Sequence, residues 1–236
     1  MPIKSKHECK KCDPRKLAFS PLSFHKHVNV GSPPKSGAFA KKPERQKTIF
    51  RMFYERGDIP IFLEQSHNGN QIGWKADLRK LDYQYYLPLF FDGLSETEHP
   101  YAFFAQRGVH ELLDHGEGKV LPVVPQLIMP IKKAMNTKDP KICCNVLKAL
   151  QHLVISDDLV GEALVPFYRQ LLPVLNLFVN RNKNIGDGIE YGQMKQENIG
   201  DLIAQTLQVL EAHGGENAFL NIKYMVPTYE SSTFNP

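Results

Sequence analysis

The sequence predicts an all-α fold, a helical-repeat solenoid with one small β-hairpin near its start, preceded by a basic arm that is disordered when free. Three observations carry this. Residues 121–135 (LPVVPQLIMPIKKAM) lie on residues 164–178 (LVPFYRQLLPVLNLF) at an offset of 43, a period that belongs to arrays of helix pairs. Residues 146–155 (VLKALQHLVI) lie on 203–212 (IAQTLQVLEA) at an offset of 57, so each unit has a second helix and an insertion separates the pair in the second unit. That insertion is the stretch 181–197 (RNKNIGDGIEYGQMKQE), polar and holding three glycines, which reads as a surface loop. Such an array presents an extended binding surface rather than a catalytic pocket.

The arm spans residues 1–46 and the helical domain 47–236. Residues 1–45 hold 11 Lys/Arg against 3 Asp/Glu and residues 46–236 hold 18 against 22, so a +8 arm precedes a −4 body. The arm is also rich in Pro, Ser and Gly, and buries too little apolar surface to offset the entropy of ordering it. A basic disordered segment suits an acidic surface, whether nucleic acid, an anionic membrane face or an acidic polymer; the plainer alternative is a solvated tail that aids solubility.

Along the body, 47–56 (KTIFRMFYER) puts Ile49, Phe50, Phe53 and Tyr54 on one helical face, with Gly57 placed as its C-terminal cap. IPIFL and QIGW then flank HNGN, whose Asn68-Gly69 pair predicts a two-residue hairpin turn within about 59–74. Helical patterns follow over 83–91, 101–113, 121–135, 142–155, 160–179, 199–213 and 218–224. Pro130 and Pro173 fall inside apolar helices and are expected to kink or divide them, as in armadillo- and HEAT-like units.

No apolar run approaches the roughly 18 residues of a membrane span, and residues 1–17 lack the apolar core of a secretory signal. Cys9 and Cys12 in the arm and the adjacent Cys143 and Cys144 in a helical pattern do not form a disulfide framework, and no Asn-x-Ser/Thr sequon occurs; a reducing, intracellular compartment is expected.

Candidate chemistry is sparse. His110-Glu-Leu-Leu-Asp114-His115 is one register away from the H-E-x-x-H zinc motif, since the residue four after His110 is Asp114; surface pairs His110/Asp114 and Glu111/His115 are expected instead. Cys9-x2-Cys12-x12-His25 begins like a zinc finger, but His25 and His27 are too close together for its helical ligands. Cys9, Cys12, His25 and His27 remain weak metal candidates beside the default of free thiols. Gly186–Gly192 lacks the preceding strand and the lysine of a phosphate loop, Cys143 and Cys144 read as buried and inert, and no cofactor motif is present. The chain is expected not to be an enzyme.

Several long phrases go beyond periodicity: SGAFAKKPERQKTIFRMFYERGDIP, WKADLRKLDYQYYLPLFFDGL, KVLPVVPQLIMPIKKAM, ENIGDLI and GGENAFLNIKYMVPTYES. Over residues 36–231 the sequence resembles the parkin co-regulated protein family; residues 1–35 depart from what can be matched. The resemblance implies an armadillo- or HEAT-type solenoid at the inner junction of axonemal doublet microtubules in cilia and flagella. There it would bind α/β-tubulin and alternate with a β-rich inner-junction partner among other microtubule inner proteins. It also implies a cytosolic cargo-transport role with a small partner protein in sperm-forming cells, and no enzymatic activity. Phe39, Lys41, Lys42, Arg45 and Lys47 are then candidate tubulin contacts, with Trp74, His115, Tyr229 and the loop 181–197 as exposed candidates on the body. Packing roles compete with each: Trp74, the sole tryptophan, could simply anchor the hairpin. A peptide-binding cytosolic adaptor stays open as a second reading. RNA binding through the arm has only Phe19, Phe24 and Phe39 for base stacking.

Overall fold

A computed structural model describes residues 37, 40, 47–66, 69–179, 181 and 198–231. The chain divides into the units Met1–Ala38 and Phe39–Pro236, and the elements below all belong to the second. Nearly all of the arm and of the loop 181–197 lies outside the described residues, including Cys9, Cys12, His25, His27, Phe39, Lys41, Lys42 and Arg45.

Helix α1 (Ile49–Arg56) starts on Thr48, whose hydroxyl accepts from Arg51 N–H, and stops at Gly57 with φ of 82°. That left-handed value is what a glycine cap supplies without steric cost. The hairpin pairs β1 (Ile61–Ser66) with β2 (Gly69–Trp74) in antiparallel register from Ile61↔Trp74 to Ser66↔Gly69. Gly69 therefore belongs to a strand, one residue beyond the turn position expected for Asn68-Gly69. Helices α2 (Tyr83–Gly93), α3 (Tyr101–Asp114), α4 (Val124–Met135) and α5 (Pro140–Ile155) follow. Asp82 and Asp139 cap α2 and α5 by accepting from Gln84 and Lys141 N–H, and Pro140 occupies the first turn of α5, where its missing N–H costs nothing.

The two proline predictions part company. α4 runs through Pro130 as one helix, whereas the pattern over 160–179 breaks into α6 (Val160–Leu164), a 3-10 turn, α7 (Tyr168–Leu171) and a second 3-10 stretch, Leu172–Leu177, that opens with Pro173 near its start. Pro166 lies in the first of those 3-10 turns, so two prolines interrupt this segment within two helical turns. Helices α8 (Ile199–His213) and α9 (Ala218–Met225) close the order.

The helices pack in two rows. One runs α1, α2, α4, α7, α9; the other runs α3, α5, α8; the rows are joined by contacts of α2 with α3, α4 with α5, and α6 and α9 with α8. The core between them is continuous, from Phe50, Phe90 and Phe104 through Leu127, Ile131 and Leu150 to Tyr168, Leu207 and Ile222. The burial pattern refines the repeat. Val120, Val124, Leu127, Ile128, Ile131 and Ala134 are buried, and so are Leu164, Tyr168, Leu171, Leu172, Leu175 and Phe178, each 44 residues on. The core thus repeats one residue out of step with the expected offset of 43, and at 44 Pro122, Gln126 and Leu127 also fall on Pro166, Gln170 and Leu171. In the second helices the offset of 57 holds, as Val146, Leu150 and Leu153 are matched by buried Ile203, Leu207 and Leu210.

Candidate functional site

Trp74 ends β2 and turns toward the helices. It is partly buried, its ring centroid lies 5.5 Å from that of Phe90, and its indole N–H donates to Glu111 Oε2 at 2.5 Å. The hairpin is therefore anchored to α2 by an apolar contact and to α3 by a polar one, the packing role weighed against a partner contact from sequence. Glu111 also links the second nominated residue: His115 Nδ1 meets the Glu111 carbonyl oxygen at 2.9 Å, and His115 is exposed at the C-terminal end of α3. Trp74, Glu111 and His115 thus sit together.

Around them, Arg79 Nη2 pairs with Glu117 at 3.3 Å, Lys119 Nζ donates to the Arg79 carbonyl, and the Lys119 ammonium lies 5.6 Å from the Tyr83 ring centroid. The resulting surface, built from the hairpin end, the 3-10 turn Leu78–Lys80 and the segment after α3, is polar, mixed in charge and edged by an indole. It suits protein recognition, where an aromatic anchor among rim charges is the common arrangement, and it holds no arrangement of nucleophile and base. Among the described residues no group of three or more His, Cys, Asp or Glu could hold a metal ion, and no helix is long and apolar enough to cross a membrane.

The helix pairs expected around the near-zinc motif are re-partnered. The Glu111 carboxylate goes to Trp74 rather than His115, and Asp114 Oδ1 lies 2.9 Å from His152 Nε2 on α5 rather than bonding His110. Neighbouring elements supply partners that a reading of one helix cannot see. Lys47 is exposed but engaged, its ammonium 2.8 Å from Glu55. Tyr229, nominated as exposed, is buried: it is 7% accessible, donates to Glu211 Oε2 at 2.5 Å and accepts from Lys223 Nζ at 2.7 Å through its carbonyl. Cys143 and Cys144 are buried as expected, and burial above all pushes the Cys143 thiol up to about 12, so it is a poor nucleophile.

A family model described as the parkin co-regulated protein matches residues 48–231, nearly the whole described body. The chain belongs to the parkin co-regulated protein family. A mouse relative, the Parkin coregulated gene protein homolog of Mus musculus, is 57% identical over 225 residues, covering 94% of this chain and 93% of its own length. That match leaves out fewer residues than 1–35 contains, so the likeness to this family member reaches into the basic arm. The family model itself begins at residue 48, beyond residues 1–35. Glu111, which gathers Trp74 and His115, was missed as a functional residue; the signal available was an acidic side chain four before His115 on α3.

Proposed function

We propose that this chain is a non-enzymatic structural protein of ciliary and flagellar axonemes. In this reading it is an armadillo- or HEAT-like solenoid that binds α/β-tubulin at the inner junction of doublet microtubules, beside a β-rich partner and other microtubule inner proteins. Family membership is the observation that carries the reading, because the resemblance implies this role for the family. Two physical features support it. The two helix rows, with a core that repeats every 44 residues on one side, suit a stacked array. The +8 arm ahead of a −4 body suits the acidic outer surface of tubulin, to which it is drawn over about a Debye length.

Contacts repeated along a lattice add without any being tight, so weak exposed contacts suffice. The Trp74–Glu111–His115 surface favours a second reading, a cytosolic adaptor that engages a partner protein in cargo transport; it uses a different part of the molecule and is compatible with the first. The test is sedimentation of the full chain with isolated axonemal doublets stripped of junction proteins, with singlet microtubules and RNA as competitors. Saturable binding to doublets that modest RNA does not displace is expected. Loss of binding to RNA, or no affinity for doublets while a partner peptide still binds, contradicts the junction role.

A further inference from the structure

His110 of α3 and His152 of α5 face each other across the contact between two successive helix pairs. Their Nδ1 atoms are 2.7 Å apart and their ring centroids 5.0 Å apart, with the planes inclined by only 21°, so the rings meet edge to edge. On its far side, His152 Nε2 lies 2.9 Å from Asp114 Oδ1, and the two side chains are 25% and 57% exposed, so water reaches the group. These contacts assign the protons. A carboxylate only accepts, so His152 carries Nε2–H toward Asp114; in the uncharged pair its Nδ1 is then bare and His110 Nδ1–H donates to it.

Adding protons to this geometry has a sharp consequence. One added proton leaves a single N–H between the two Nδ1 atoms, with either ring as donor, and the contact survives. A second proton puts N–H against N–H at a separation where only one hydrogen fits, and adds the repulsion of two charged rings. We propose that His110 and His152 are a proton-operated clasp that joins α3 to α5 while at most one added proton is present and opens when both rings are charged.

The surroundings reinforce this. The His110 imidazole is held below its ordinary range first by burial, then by His152, Arg107 and Lys148, with Asp114 opposing. The acting charges thus come from α3 (Arg107, Asp114) and from α5 (His152, Lys148). A base held low in the native state binds fewer protons there than when unfolded. Stability is therefore complete above the ordinary imidazole value near 6.5 and declines as pH falls from there through the native value. On its other side α5 is held to α8 by Gln151 Nε2 donating to Thr206 Oγ1 at 2.8 Å, a contact that contains no titrating group.

The experiment is NMR titration of the histidine Cε1–H signals in the full chain from about pH 8 to about pH 5, with amide hydrogen exchange compared between wild type and His110→Gln at each pH. Glutamine keeps a hydrogen bond but cannot charge. The expected result is a two-step titration of the pair, a His110 midpoint below 6.5, and loss of inter-ring contacts in the second step. Exchange protection of α3 should fall at low pH in wild type more than in the variant. Two independent single-step titrations with the ring contact intact overturn the proposal in the wild type alone, whether or not the variant folds; equal losses of α3 protection in both proteins overturn it as well.

Discussion

Glu211 is a carboxylate only 8% exposed, and both of its oxygens are used: Oε2 accepts from the Tyr229 hydroxyl and Oε1 from the Ser231 hydroxyl, each at 2.5 Å. The segment after α9 is thereby tied back onto α8, and Lys223 adds a hydrogen bond to the Tyr229 carbonyl. Tyr229→Phe keeps the ring but strips a buried acceptor of a partner, a change that costs about 1–3 kcal/mol; urea unfolding is expected to register it, with little change in the slope. An unchanged midpoint would mean that water or Ser231 takes over. In sequence Glu211 occupies a core register, 57 residues after buried Val154, so a charged residue in an apolar stripe was a legible sign of a buried partner. Which partner was not legible, because Tyr229 and Ser231 reach it only through the reversal of the chain after α9. Trp74 and His115 were legible as residues worth naming for the opposite reason, their chemistry, while spacing paired the Glu111 side chain with His115 and could not show that its carboxylate goes to Trp74 and its carbonyl to His115.

At the level of elements, helix limits were well marked where caps and periodicity coincide, as at Thr48, Asp82 and Asp139. The pattern over 160–179 reads as apolar helix, yet its prolines divide it. The register of 44 shown by burial was legible in Pro122, Gln126 and Leu127, which fall on Pro166, Gln170 and Leu171, and aligning Pro130 with Pro173 obscured it. Helix packing also constrains glycine in a way periodicity does not reveal. Gly161 of α6 lies against the backbone of His213 at the end of α8, and a Cβ there would overlap the His213 carbonyl. Backbone cannot swing aside as a side chain can, so Gly161→Ala is expected to destabilise by about 1–3 kcal/mol, measured by thermal unfolding. A neutral outcome would show that α6 slides freely on α8.

For the whole molecule, two helix rows share one core in the body, while the asymmetry of charge assigns attraction to the arm. A mostly helical body with one hairpin, and the family, could be read from the chain because periodicity and long phrases are properties of sequence. A binding surface could not, since it is defined by the partner's shape and charge as much as by this chain. The central proposal is that the chain binds tubulin with its basic arm as the electrostatic ligand. Its most direct test is co-sedimentation of the full chain and of a chain lacking residues 1–45 with stabilised microtubules over a series of salt concentrations. The account predicts that the full chain pellets at low salt and is released as salt rises, while the shortened chain, with its −4 body, binds far more weakly. Equal binding of the two chains, or binding indifferent to salt, contradicts it.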